Sequence, residues 1–189
     1  MLRRRRGHGS NAAARVAAVR YETLSRFLDD AQTFKGVEPA DVPDMHLQTT
    51  AGERVYICVQ GAMLIEPRGE SGQGSGDYPP RNIDQGELVV TSARAVFTGT
   101  KQVRQWLWSQ LGSIEHSETG PWTSITVTNR HKAFGVRYNK EHQDEIRFSI
   151  ELAVATAQGT RDFLIHTLKD ELNSTRTQLL ASEGASARI

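Results

Sequence analysis

The middle of this chain alternates apolar and polar residues with a period of two, which restricts it to short β-strands. The first run is residues 53–65, in which one face would carry Val55, Ile57, Val59, Gly61 and Met63. Six further runs follow at residues 87–91, 94–99, 103–108, 123–129, 134–139 and 145–155. Seven short strands at this spacing predict an antiparallel sandwich or barrel.

Helical patterns flank the strands on both sides. Residues 12–34 place apolar side chains at helical spacing, and the Gly- and Pro-bearing segment KGVEPADVPD ends that pattern. A second helix is predicted over residues 160–181, with one face formed by Leu164, Leu168, Leu172 and Leu179. An amphipathic helix that follows a sheet must bury its apolar side, so we expect it to close the open end of the sheet.

The second and third runs are separated only by Ser92 and Ala93, which is the spacing of a β-hairpin. The whole stretch GELVVTSARAVFTG resembles the signature hairpin of the GRAM and bacterial pleckstrin-homology-like (PH-like) families. The residues that carry this resemblance are Gly86, Thr91, Arg94 and Phe97. The next stretch, RQWLWSQLGSIEHS, is similar to the segment that follows in those families, at Leu111, Ser113, Ile114 and Glu115.

Together the strands and the resemblance predict a mainly β, α+β fold. The resemblance implies a PH-like, seven-stranded antiparallel, partly open barrel capped by a C-terminal helix, with an added N-terminal helix. The expected organisation is a disordered basic tail at 1–11, a helix and linker at 12–50, a PH/GRAM-like domain including the C-terminal helix at 51–181, and a loose tail at 182–189.

PH-like domains are mostly binding modules, and fold alone does not name the ligand. The resemblance therefore implies a non-catalytic intracellular module that binds a protein partner or, peripherally, a membrane surface. The alternative is a structural role in which the terminal helices pair between chains and form a homo-oligomer.

Basic residues define the candidate site for an anionic lipid surface: Arg3, Arg4, Arg5, Arg6, Arg68, Arg81, Lys101 and Arg104. The last four would lie near one end of the barrel, where four acidic residues, Glu66, Glu70, Asp77 and Asp84, offset them. Without the first four arginines, 19 Lys and Arg face 22 Asp and Glu. This balance argues against a nucleic-acid partner, which would favour a basic stripe within the fold.

Trp106 and Trp108 are two residues apart, so they would share one face of a strand, with Leu107 on the other. Both faces are apolar. The indoles are therefore either core residues or a partner-binding surface, where Trp is enriched. The face outside the barrel needs a cover, which either the N-terminal helix or a second chain would provide.

The sequence offers little for catalysis. The histidines lack the spacing of metal ligands and have no nucleophile in a clear pairing, so we expect no enzyme activity, no cofactor and no metal. The single cysteine, Cys58, lies in an apolar strand and is expected to be a small core residue. We expect a cytoplasmic protein, with a peripheral position at the inner membrane surface as the alternative.

Overall fold

A computed structural model of the chain describes residues 7–66, 80–128 and 134–186, of which residues 7–11 and 182–186 are described without their side chains. The chain divides into two compact units. One contains the first and the last helix, and the other is Lys35–Thr160. The domain predicted at 51–181 thus includes residues of both units.

The larger unit contains a seven-stranded antiparallel sheet. Its strands are β1 (Val55–Glu66), β2 (Arg81–Thr91), β3 (Arg94–Gly99), β4 (Val103–Leu107), β5 (Leu111–His116), β6 (Trp122–Val127) and β7 (Phe134–Arg137). The hydrogen-bonded order is β4-β3-β2-β1-β7-β6-β5, so the long strand β1 joins the two halves and the sheet stays open between β4 and β5. This α+β, PH-like architecture confirms the predicted fold class.

The strand predicted at 145–155 is wrong, because these residues lie in helix α2, Gln143–Gln158. The count of seven strands holds because residues 111–116 form β5. The alternating pattern also fits a helix. Its buried residues form two adjacent rows with steps of four and three, Ile146, Ile150 and Ala153 in one and Phe148, Leu152 and Ala155 in the other.

Both ends of α2 contain residues that favour a helix terminus. Asp144 and Glu145 lie in the first turn, where the helix dipole favours negative charge. Gly159 follows the last turn with a φ of 70°, a left-handed conformation that glycine adopts without strain, and its N–H donates to carbonyls of that turn. Helix α2 packs on β1 and β2 of the sheet.

The smaller unit pairs helix α1, Gly7–Thr33, with helix α3, Arg161–Ser186. The two run antiparallel, since Arg20 Nη2 lies 2.9 Å from Glu171 Oε2 while Arg161 Nε donates to the Ala31 carbonyl at 2.6 Å. We expected the leucines of α3 to close the sheet. Instead, the buried Leu168 lies on the side of α3 that packs against α1.

Both of these helices exceed their predicted lengths. Residues 7–11 and 182–186 are helical, so the predictions of a disordered tail at 1–11 and a loose tail at 182–189 are wrong for those residues. The remaining residues of the two predicted tails lie outside the described part of the chain.

The signature hairpin is explained residue by residue. A Cβ on Gly86 would lie 2.0 Å from the Thr98 carbonyl oxygen, so only glycine fits this approach of β2 to β3. Thr91 Oγ1 accepts hydrogen bonds from the N–H groups of Ala93 at 3.2 Å and Arg94 at 3.1 Å, which stabilises a two-residue turn of unfavourable sequence. Phe97 is fully buried.

Residues 42–50, which we call the strap, cross the outer face of β1, β2 and β3. Two buried glutamates of the sheet unit accept hydrogen bonds from its main chain. Thr50 N donates to Glu53 Oε2 at 2.8 Å, and His46 N lies 3.3 Å from Glu87 Oε2. Two donors from the sheet reach strap carbonyls, Arg94 to Gln48 at 3.1 Å and Gln60 to Asp44 at 3.2 Å. The strap thus covers part of this face.

The Glu53 carboxylate is paired on both oxygens with Arg94. Arg94 Nε lies 2.9 Å from Oε1 and Arg94 Nη2 lies 3.1 Å from Oε2. Thr91 Oγ1 donates to Oε1 at 2.6 Å. Burial alone would raise the pKa of Glu53, but the hydrogen bonds from Arg94, Thr50 and Thr91 outweigh it and lower the pKa to about 2. The carboxylate is therefore charged and fully paired inside the fold.

We predict that this pairing makes stability depend on pH in an acidic window. Because the folded pKa of Glu53 lies below its unfolded value of 4.5, its contribution is complete above pH 4.5 and falls as the pH drops toward 2. The contribution is about 3 kcal/mol. Urea unfolding between pH 7 and pH 2 should show this loss in the wild type. It should be largely absent in Glu53→Gln, which starts less stable at pH 7. A Glu115→Gln control, at an exposed position of β5, should keep the wild-type slope, and an equal slope in Glu53→Gln would contradict the assignment.

Candidate functional site

The residues predicted to bind anions do not form a described site. Arg3, Arg4, Arg5, Arg6 and Arg68 lie outside the described residues. Arg81 is exposed at the first position of β2, where its partner in the register is Glu66 of β1. An acidic residue beside it weakens any attraction for phosphate.

Lys101 and Arg104 are also placed unfavourably for a headgroup. The turn that contains Lys101 is built around Asp84, which accepts a hydrogen bond from Lys101 N at 2.8 Å. Burial alone would raise the pKa of Asp84, but four hydrogen bonds lower it, so its negative charge persists in the turn. The Arg104 guanidinium stacks 4.3 Å from the centre of the Phe134 ring.

The structure answers the alternative left open for the two tryptophans. Trp106 is 1% exposed and Trp108 is 3% exposed, so both indoles are core residues and are not presented to a partner. They do not share one strand, because β4 ends at Leu107 and Trp108 begins a 3₁₀ helix. The indole N–H of Trp108 donates to the Thr91 carbonyl at 2.8 Å, which connects this helix to the end of β2.

One polar chain, which runs from the exposed Glu151 to the buried Thr123, has the residue types of a catalytic triad. His116 Nδ1 lies 2.8 Å from Thr123 Oγ1, and His116 Nε2 lies 3.3 Å from Glu151 Oε1. Thr123 is fully buried and its hydroxyl also contacts the Tyr138 hydroxyl at 2.8 Å, so no substrate reaches it. Within the described residues, no three His, Cys, Asp or Glu side chains are arranged to hold a metal ion.

The best candidate site is a groove of about 420 Å³ on the larger unit, which we call the Glu87 groove. Its lining comes from the strap and from strands β1, β2 and β3, and consists of His46, Gln60, Gly61, Gln85, Gly86, Glu87, Thr98, Gly99 and Thr100. Three glycines expose main chain to the groove. Every side chain in the lining carries a hydrogen-bonding group.

A β-bulge in β1 creates the groove. Val59 pairs with Leu88 and Ala62 pairs with Gly86, so two residues, Gln60 and Gly61, face the single residue Glu87. Gly61 has a φ of 72°, which favours glycine. The bulge shifts the alternation of inward and outward side chains in β1 by one residue. The prediction that Gly61 and Met63 continue the face of Val59 is therefore wrong, and the buried residues after the bulge are Ala62 and Leu64. It also directs Gln60 toward Glu87.

Glu87 itself is 4% exposed yet weakly paired. Gln60 Nε2 donates to its Oε1 at 2.6 Å. The other contacts of Oε1 are longer, at 3.4 Å from both His46 N and His46 Nδ1 and at 3.6 Å from Cys58 Sγ. In the described part of the chain, Oε2 accepts a hydrogen bond only from His46 N, at 3.3 Å. Among the described residues, no Lys or Arg forms an ion pair with Glu87, so this buried charge lacks the cation that Glu53 has.

The charge of Glu87 acts on its neighbour Cys58. Burial, and then the Glu87 charge, raises the pKa of the Cys58 thiol to about 12. Asp44 of the strap contributes in the same direction. The groove is therefore acidic, and Cys58 is a protonated, unreactive thiol rather than a nucleophile.

Glu87 was not identified from the sequence, in which it is the first residue of the strand pattern ELVVT and has no neighbour that marks it as a site. One signal could have found the site. Glycine in the interior of a strand often marks a bulge, and Gly61 interrupts an otherwise apolar run.

We predict that Cys58 reports the charge of Glu87. Replacing Glu87 with Gln removes a negative charge beside the thiol, so the pKa of Cys58 should fall. At a pH below that pKa, iodoacetamide should then react roughly tenfold faster for each unit by which the pKa falls. Cys58 is the single cysteine, so intact-mass spectrometry across pH 7–10 follows one reaction. Glu115→Gln should react like the wild type, and equal rates for Glu87→Gln would refute the coupling.

No helix among the described residues is long and apolar enough to cross a membrane. No protein-family model matches this sequence, and no curated protein is significantly similar to it. The candidate site therefore depends on the residues of this chain alone.

Proposed function

We propose that this protein is a non-catalytic, PH/GRAM-like binding module that recognises a protein partner by receiving a basic side chain in the Glu87 groove. The observation that carries the proposal is the buried Glu87 carboxylate, which borders an open groove without a described Lys or Arg partner. A lysine or arginine of the partner would complete this charge and satisfy Oε2.

The charge of the groove supports a cationic group over an anionic one. Glu87 is in the lining, Asp84 organises the adjoining turn, and Asp44 is close enough to raise the pKa of Cys58. A phosphate or carboxylate would meet three negative charges. The volume of about 420 Å³ is near the small end of ligand pockets, which suits one long side chain.

The surroundings favour a protein over a free amine. The rim is exposed at His46, Gln60, Gln85 and Thr100, so a small amine would keep much of its surface in water. Affinity then has to come from contacts outside the groove, which a protein surface provides. The structural alternative has less support, because α1 and α3 pair within one chain. We place the module in the cytoplasm, in keeping with its single cysteine.

We predict that peptides with a central Lys or Arg bind the groove and that matched peptides with a central Gln do not. A peptide array with Lys, Arg or Gln at the central position selects a peptide probe, and isothermal titration calorimetry measures the affinity of the protein for it. Backbone NMR signals of Gly61, Gly86 and Gly99 should shift on binding, because all three line the groove. Glu87→Gln should weaken binding by tenfold or more, since it removes the desolvated charge.

Two measurements separate lost binding from lost structure. Glu87→Gln removes a buried charge that has no cation, so its melting temperature should equal or exceed that of the wild type. Glu115→Gln removes the same charge at an exposed site and should bind normally. Equal binding of Lys and Gln peptides, or unchanged affinity in Glu87→Gln, would rule out this site.

A further inference from the structure

Helix α1 has a second face that its pairing with α3 does not use. Leu24, Leu28 and Ala31 lie on the side toward α3, whereas Val16 is 70% exposed and Val19 is 64% exposed on the opposite side. The two valines are three residues apart, so they are neighbours on the helix surface. Ala12, also exposed, extends this stripe by one turn.

The charges along this stripe are positive as far as Glu22, an exposed carboxylate three residues after Val19. Arg15 and Arg20 are exposed beside it, although Arg20 also pairs with Glu171. The first 21 residues of the sequence contain six arginines and no acidic residue, and Glu22 is the first carboxylate. An exposed apolar stripe bordered by arginines is the pattern of a helix that lies in a membrane interface.

We propose that the N-terminal half of α1 lies on an anionic lipid surface, with Val16 and Val19 inserted at the level of the acyl boundary and Arg15 and Arg20 at the headgroups. A second copy of the chain fits this face poorly. Two valines offer far less than the roughly 800 Å² per partner of a stable interface, and six arginines would repel their counterparts. The proposal is independent of the Glu87 groove.

The test is co-flotation of the full-length protein with vesicles of phosphatidylcholine containing 30% phosphatidylserine. Binding should require phosphatidylserine and should fall steeply between 0.1 and 0.5 M NaCl, because salt shortens the Debye length and weakens the attraction between arginine and anionic lipid. Arg15→Gln should weaken partitioning about fivefold. The double variant Val16→Ser, Val19→Ser should weaken it about tenfold, because both side chains leave the acyl boundary.

Matched controls come from exposed positions elsewhere. Val103→Ser on β4 and Arg176→Gln on α3 should bind vesicles like the wild type. Circular dichroism should show unchanged helix content in every variant, because each altered side chain is exposed. The membrane assignment is wrong if phosphatidylserine has no effect or if the valine variant binds normally. It is also wrong if the wild type is a dimer without lipid that the valine variant dissociates, or if a DNA duplex competes for the same arginines with equal strength.

Discussion

The larger unit depends on one buried ion pair, Glu53 with Arg94. A guanidinium that grips both carboxylate oxygens offsets the cost of desolvating two charges, and the remaining hydrogen-bonding capacity goes to Thr91, Thr50 and the Gln48 carbonyl. The pair therefore joins the turn between β2 and β3 to the strap. The strap in turn brings His46 to the rim of the Glu87 groove and the Asp44 carbonyl to Gln60, so the geometry of the site follows from an interaction outside it.

Much of the fold could be predicted from the sequence, because the hairpin at 87–99 combines local pattern with local turn chemistry. The helix at 143–158 could not be predicted from alternation, since its apolar residues fit both the two-residue period of a strand and the 3.6-residue period of a helix. The information that decided it lay at the ends, in Asp144 and Glu145 at the start and Gly159 at the finish. Interpreting α2 as a strand then led to the prediction that α3 packs on the sheet, whereas α3 pairs with α1.

The candidate site was harder to predict because its chemistry depends on partners distant in sequence. Counting charges near the loops gave four basic residues offset by four acidic residues, but the effect of each charge is set by what lies beside it. The negative charge of Asp84 offsets the positive charge of Lys101, and the guanidinium of Arg104 stacks on the Phe134 ring. Glu53 and Glu87 look alike in the sequence. They differ in the fold because Arg94 reaches one and Gln60 reaches the other.

The strap is attached chiefly through its peptide groups. His46 and Thr50 contribute amide N–H donors and Asp44 and Gln48 contribute carbonyls, to which the side chains of Thr50 and His46 add one contact each. An attachment of this kind tolerates exchange of most strap side chains without detachment, whereas Glu53, Gln60, Glu87 and Arg94 are fixed by it. Divergent descendants of this chain could thus reshape one wall of the groove while the opposite wall stayed constant, a division of labour comparable to that between a variable loop and its framework.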